Sequence, residues 1–289
     1  MTTMKQGRLF STETPLTQNS VISVNEVTSK TILSKSGLYD IDFSINPYKG
    51  CQHNCAYCYA CSMVERWGEK RQWGHYVDVK MNAPEVLQKQ LRRINSGSVL
   101  ISSVTDPYQP IEQHSRLTRR LLSILSGTGF HIVVLTKSAL VSRDIDIFQE
   151  NPHWEIGMTL TTANDAIRAM VEPQASPIEE RLSVLRMLAD AGVKTYAFLG
   201  PMLPFAFEDT LSELMEALDD VNVSYVMVDR LNVRGSNMKR LVPIIEKILP
   251  DRRDEFLKAC RKDSSYFVRL KRRIRSEFAL RGLQAQFCY

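Results

Sequence analysis

The sequence predicts an α/β fold of about six βα units, with parallel strands in one sheet that is closed or partly closed. Three features carry this. Apolar, β-rich runs alternate with helical ones through most of the 289 residues. Several of those runs are apolar on both faces, as parallel strands under helices must be. The alternation is strict, which is the signature of βα units rather than of hairpins. Six units fall short of the eight of a full barrel, and a chain of this length buries about 75% of its unfolded surface, enough for a core without disulfide staples.

In chain order, residues 1–35 are rich in Ser and Thr without sustained periodicity and are expected as a tail or irregular N-terminal cap. A strand is expected over 39–45 and a helix over 84–94, then strand 99–104, a helix near 116–125 and strand 131–135. A helix near 145–149, strand 154–160, helix 177–191, strand 193–199, helix 209–218 and strand 223–228 follow. The clearest helix start is Ser176, Pro177 and Glu179, which fit an N-cap, a first-turn proline and the carboxylate of a capping box. From Leu241 onward only helical patterns remain. The expected domains are therefore 1–35, a barrel over 36–235 and a C-terminal helical extension over 236–289.

The balance of 37 Lys and Arg against 32 Asp and Glu leaves +5, too mild to name a partner. Arg269, Lys271, Arg272, Arg273 and Arg275 crowd one segment, either a solvated helix face or a nucleic-acid contact. The first twenty residues hold no apolar stretch of signal-peptide length, and no window of about 18 apolar residues occurs. A soluble cytoplasmic protein with no membrane contact is expected. In that reducing compartment a tight group of cysteines reads as a ligand set, not as disulfides.

Four of the six cysteines lie in NPYKGCQHNCAYCYAC, residues 46–61. Cys51, Cys55 and Cys58 are spaced Cx3Cx2C, and Cys61 adds a further x2 step. Three readings compete. A structural zinc site usually draws two short pairs from distant places, whereas these thiols share one loop. A ferredoxin-like electron-transfer cluster matches the x2, x2 spacing of Cys55, Cys58 and Cys61 but lacks its proline-flanked fourth cysteine. In the third, Cys51, Cys55 and Cys58 alone hold a 4Fe-4S cluster and leave one iron open, with the aromatic Tyr57 beside the last thiol. The first two belong to a non-enzymatic nucleic-acid or protein binding module, the third to an enzyme. Loops at the carboxyl ends of parallel strands are where such folds place chemistry.

NPYKGCQHNCAYCYA, followed by SVTDPYQPIE, VLTKSALVSRD, LTTANDAIRAMVEPQASPIEERL and GPMLP, resembles the spore photoproduct lyase-related branch of radical S-adenosylmethionine (SAM) proteins, often labelled DNA repair photolyase-like. The resemblance spans roughly residues 40–235. It implies a partial (βα)6 TIM-like barrel of the radical SAM type with the helical appendage behind it. It also implies a 4Fe-4S cluster on Cys51, Cys55 and Cys58, SAM at the open iron, and a reductant such as a flavodoxin or ferredoxin. Electron transfer would split SAM to methionine and a 5'-deoxyadenosyl radical that takes hydrogen from a substrate, either a nucleic acid or a small molecule or peptide. The protein's share of that chemistry is positioning and shielding.

Further site residues are expected at strand ends. Ser102, Ser103, Thr105 and Asp106 would meet the SAM amino group, although TDP is also an ordinary turn. Thr136 and Lys137 end the third strand, where Lys137 would meet the SAM carboxylate or a substrate phosphate. Thr159, Thr161 and Thr162 would hydrogen-bond the ribose, and Arg181, in a segment with Glu172, would pair with the SAM carboxylate through its planar fork. Gly200 and Pro201 would let backbone approach the adenine. Asp229, Arg230 and Asn232 are candidates for substrate contact. Tyr57 completes the cofactor set, His53 reads as a loop group and Cys61 as unnecessary for the cluster. Cys260 and Cys288 are expected as buried thiols in the helical tail.

One departure bears on the reaction. Spore photoproduct lyases finish by taking a hydrogen atom from a cysteine one residue after a serine near the end of the second strand. Here SSVTDP has Ser103 at that place, and a serine O–H is much harder to break homolytically than a thiol S–H. Thymine-dimer reversal is thereby put in doubt, with Tyr108 and Cys61 as other donors to consider.

Overall fold

A computed structural model describes residues 22–283 and 285–289, so residues 1–21 of the expected tail lie outside the described residues. The chain continues through strands β1 (Ser23–Val27), β2 (Leu33–Lys35), β3 (Phe43–Ile45) and β4 (Tyr48–Lys49), helix α1 (Ala60–Arg66) and strand β5 (Tyr76–Lys80). Next are α2 (Ala83–Leu91), β6 (Ser96–Ile101), α3 (Glu112–Ser115), α4 (Leu117–Leu125), β7 (Gly129–Thr136), α5 (Ile145–Gln149) and β8 (Glu155–Thr159). Then follow α6 (Asp165–Val171), α7 (Ile178–Asp190), β9 (Lys194–Met202), α8 (Leu211–Asp219) and β10 (Tyr225–Arg230). The C-terminal part holds α9 (Gly235–Ile248), α10 (Arg253–Ala259), α11 (Tyr266–Leu280) and β11 (Ala285–Phe287).

The main sheet runs β11-β10-β9-β8-β7-β6-β3-β2, parallel throughout except for β2 at one edge. Strands β6, β7, β8, β9 and β10 each lead on to a helix, and β3 does so after the short strand β4, which gives the partial (βα)6 barrel that was expected. A smaller sheet, β1-β5-β4, stands beside it.

Strand alternation builds the core. On β7, Phe130, Ile132, Val134 and Thr136 are buried while His131, Val133 and Leu135 are half-buried. Successive side chains point to opposite faces, so one row joins the core with Leu117, Leu121, Leu122 and Leu125 of α4 and the other stays half-buried on the opposite face. Full burial of each such leucine contributes roughly 2 kcal/mol. No helix among the described residues is long and apolar enough to cross a membrane.

Several local expectations need correction. The second barrel strand ends at Ile101, not at 104, because Ser102 takes a left-handed φ of 70° and turns the chain. The capping box at Ser176 does not form: Ser176 Oγ accepts from Ala139 N, and the free N–H of Ile178 at the start of α7 donates instead to Asp165 Oδ1. The C-terminal segment is not wholly helical, since β11 pairs in parallel with β10. Three residues are too few to show a period, and the strand exists because the β10 edge needs a partner. Cys260 is half-buried and Cys288 exposed, so neither is a core thiol.

Candidate active site

The cysteine loop lies between β4 and α1, beyond the first barrel strand. Gly50 permits its entry: φ is 89°, and a Cβ would stand 2.2 Å from Tyr76 O. The loop is stitched down by Thr105 Oγ1, which donates to Gly50 O at 2.6 Å, and by Gln52, whose N–H donates to Gln109 Oε1 at 2.8 Å and whose Oε1 accepts from Ile111 N at 2.6 Å. Ala56 N donates to Val171 O at the end of α6. Two further ties come from α9. Arg240 donates to the carbonyls of Cys55 and Asn54, and Asn237 donates to that of Tyr57.

All six cysteines are free. Cys51 and Cys55 are buried and Cys58 is half-buried. Burial pushes the Cys55 thiol up to about 12 and raises those of Cys51 and Cys58 as well. Cys61 is buried in α1 in a cluster with Cys51, Ala60, Val64 and Trp73, against which Cys58 packs, and its Sγ donates to Cys58 O at 2.9 Å.

Asp106 ties the ends of β6 and β7 together. Oδ1 accepts from Tyr108 N and Thr136 Oγ1, and Oδ2 accepts from Lys137 N. His53 Nδ1 stands 3.3 Å from Oδ2 but off the hydrogen-bonding line. Burial opposes the charge on Asp106, yet His53, Lys137 and Thr136 outweigh it and hold the carboxyl well below its usual range. The turn reading of TDP is thus realised. Ser103 is also engaged, its carbonyl by Tyr59 Oη at 2.5 Å and its Oγ by Asn46 Nδ2 at 3.1 Å.

Glu172 and Arg181, both fully buried, form a second knot. The Glu172 carboxylate accepts from Tyr57 Oη, Thr161 Oγ1 and, at 2.5 Å, Arg181 Nη2. Arg181 also donates through Nη1 to Thr159 O and through Nε to Ser176 O, each at 2.8 Å. All three of its nitrogens serve the protein, so the expectation that Arg181 meets the SAM carboxylate gives way to a scaffolding place. Thr161 is likewise committed, and Thr162 Oγ1 faces Thr210 Oγ1 at 3.1 Å.

Lys137 remains available. Its Nζ lies 5.9 Å from the centroid of the Tyr57 ring, and among the described residues it has no carboxylate within ion-pair range. Burial works against this ammonium, but Cys55, Glu172 and Asp106 around it outweigh that and raise its pKa. Ser102 Oγ and Thr159 Oγ1, buried at the ends of β6 and β8, have no hydrogen-bond partner among the described residues. Orphaned buried hydroxyls are rare and call for a polar neighbour.

On the far side of the mouth, Asp229 is half-buried, and burial pushes its carboxyl up to about 6. Arg230 lies 5.7 Å from the Tyr289 ring and Asn232 is exposed. Gly200 is buried under Phe198, whose ring would stand 2.4 Å from a Cβ there. Sequence reasoning missed Arg240, Asn237, Gln109 and the contact of His53 with Asp106. The two α9 residues lie 180 to 186 positions from the loop atoms they bind, and no local pattern reports such a pairing.

The Radical SAM superfamily model matches residues 45–229, from the last residue of β3 to the end of β10, which includes the cysteine loop and strands β6 to β9 in full. The chain belongs to the radical SAM superfamily. As a member, it is an enzyme whose cofactors are a 4Fe-4S cluster and SAM. It is 34% identical over 186 residues to an uncharacterized protein of Methanocaldococcus jannaschii, covering 64% of this chain and 70% of the relative. A radical SAM Nalpha-GlyT isomerase of Pseudomonas phage M6 is 27% identical over 185 residues, covering 63% of this chain and 38% of that protein. In fold, this radical SAM chain is similar to a spore photoproduct lyase with bound AdoMet and dinucleoside spore photoproduct. That likeness has a TM-score of 0.68 at 17% identity, covering 92% of this chain and 81% of the other.

The loop's donor set fits the superfamily's cluster. Three free thiols, Cys51, Cys55 and Cys58, share it, and thiolate sulfur is the ligand that iron–sulfur clusters take. Binding must remove protons from thiols that burial keeps protonated, so metal loading and proton release are linked.

Proposed function

We propose that this radical SAM enzyme binds its 4Fe-4S cluster through Cys51, Cys55 and Cys58 and acts on a nucleic acid by hydrogen abstraction. The observation that carries the ligand assignment is the division of the four thiols. The S–H of Cys61, in α1, is turned to the Cys58 carbonyl, whereas Cys51, Cys55 and Cys58 donate no hydrogen bond among the described residues. This favours the three-cysteine site over four-thiolate zinc or ferredoxin-like alternatives. When bound, cluster and SAM supply reductive SAM cleavage as a radical source, with the electron coming from a partner such as a flavodoxin or ferredoxin. On the protein's side, Lys137 would receive the SAM carboxylate and the hydroxyls of Ser102 and Thr159 would serve other polar groups of the ligand. Tyr57, held by Glu172, forms a wall beside them, and Thr105 and Asp106 fix the loop behind. Residues 36–235 are the catalytic unit in this reading and 236–289 its extension.

Two observations support a nucleic-acid substrate. Residues 236–289 carry 14 Lys and Arg against 6 Asp and Glu, so the chain's positive excess resides there. The spore photoproduct lyase of similar fold is bound to a dinucleoside spore photoproduct. Ser103 argues against dimer reversal through a donor at that position, which leaves Tyr108 or Cys61 as the donor or a different reaction.

The test is anaerobic reconstitution and reduction, addition of SAM, and measurement of 5'-deoxyadenosine for wild type, Cys58→Ala and Cys61→Ala. Turnover is expected in wild type and Cys61→Ala and not in Cys58→Ala. Loss of the cluster in Cys61→Ala would overturn the ligand assignment.

A further inference from the structure

The cysteine loop is gripped by a helix outside the matched superfamily region, which ends at residue 229. From α9, Arg240 Nη1 donates to Cys55 O at 3.0 Å, and Nη2 donates to Asn54 O at 3.1 Å and to Asn54 Oδ1 at 2.5 Å. Asn54 is a turn residue with a left-handed φ of 54°, and its side chain is wedged against Gly74, where a Cβ would stand 2.1 Å from Asn54 Oδ1. The guanidinium therefore closes a turn that has no room to relax toward Gly74. One helical turn earlier, Asn237, fully buried, donates to Tyr57 O and to Asn232 O at 2.8 Å and accepts from Arg234 N at 2.9 Å. The backbone just before Cys55, Cys55 itself and the residue before Cys58 are thus fixed from one helix.

We propose that Arg240 is a positioning residue for the cluster: its planar fork holds the Asn54–Cys55 turn in ligating geometry, and its charge makes the cluster easier to reduce. This rests on Cys55 as a cluster ligand. A fork bridging two carbonyls and a side-chain oxygen cannot be replaced by an ammonium, which is a point charge on a flexible stem. A fixed cation beside a cluster favours the reduced, more negative state, and charge near the sulfurs is one of the levers that set cluster potentials. The two contributions are therefore separable by substitution. Arg240 contacts only backbone and Asn54 in the loop, so it acts through the ligands and touches no reacting atom.

The experiment uses the full chain with Arg240→Lys, Arg240→Gln and, on the exposed side of the same helix, Lys239→Gln. Far-UV circular dichroism confirms the fold of each. The first readout is metal-free: the rate of alkylation of Cys55 and Cys58 in apo protein, resolved by peptide mass. The second is iron retention under a chelator, and the third the midpoint potential of the reconstituted cluster. Both Arg240 variants are expected to alkylate several-fold faster and to lose iron faster than wild type. Arg240→Gln is expected to shift the potential to more negative values, Arg240→Lys to stay near wild type, and Lys239→Gln to match wild type throughout. Wild-type alkylation and iron retention in both Arg240 variants would overturn the positioning role, and an unchanged potential in Arg240→Gln would overturn the electrostatic one. Cys55→Ala, run alongside, tests the ligand assignment separately. If that variant kept its cluster, the assignment would fail, and the proposal with it, whatever the Arg240 variants did.

Discussion

Arg181 Nη2 and Glu172 Oε2 meet at 2.5 Å with neither side chain exposed, and the pair joins α7 to the residue that closes α6 and, through Tyr57, to the cysteine loop. A buried pair of this kind is weak evidence for net stabilisation, because desolvating two charges offsets most of their attraction. Breaking it by removing one partner is another matter, since the survivor is left buried and unpaired. Arg181→Met should cost about 3–5 kcal/mol, measured by urea unfolding. A loss under 1 kcal/mol would mean that the knot is open to water.

Asp229 gives a pH signature distinct from that of the cluster loop. Its folded carboxyl is raised to about 6 by burial, against about 3.9 when unfolded. Between those values the folded chain holds a proton that the unfolded chain has released, so stability falls as pH rises from about 4 to about 6 and then levels off. Asp229→Asn removes the titrating group. The stability of the variant relative to wild type should therefore increase across that window, read from urea midpoints at stepped pH. A constant difference would place the Asp229 carboxyl in water.

The cations of α11 predict a salt effect. The ion pairs of the C-terminal segment use Arg252, Arg253, Arg261 and Arg281, and among the described residues none involves Arg269, Arg272 or Arg273, all exposed. If these three meet phosphates, each contributes about 0.9 to the slope of log affinity against log salt. The Gln triple variant should then lose roughly 2–3 from that slope on a DNA or RNA oligonucleotide. An unchanged slope would make α11 a solvated face.

The fold was largely legible because the six βα units repeat a long, regular pattern, and the Cx3Cx2C triad is local by nature. Legibility failed where a short or distant partner decides the outcome. Residues 285–287 form a strand only because β10 offers an edge, and Ser176 does not cap α7 because Asp165 takes the Ile178 N–H that a cap would have used. Arg181 carries the same lesson within the site: its residue type suggested a ligand fork, but its three nitrogens are claimed by Glu172, Thr159 and Ser176, a competition that only packing reveals.

Cys61 and Cys58, three residues apart, should separate stability from cofactor binding. Cys61 is buried among Cys51, Ala60, Val64 and Trp73, so Cys61→Ala removes a small apolar group and the weak S–H donor that reaches Cys58 O. A deletion of that size should cost about 1 kcal/mol of folding stability while leaving the visible absorbance of the reconstituted cluster intact. Cys58→Ala removes a half-buried thiol that donates no hydrogen bond to the protein among the described residues. It should change apo-protein stability little and abolish the cluster absorbance. The opposite pattern, with Cys61→Ala colourless and Cys58→Ala merely destabilised, would exchange the roles of the two thiols and make the x2, x2 spacing of Cys55, Cys58 and Cys61 the one that matters.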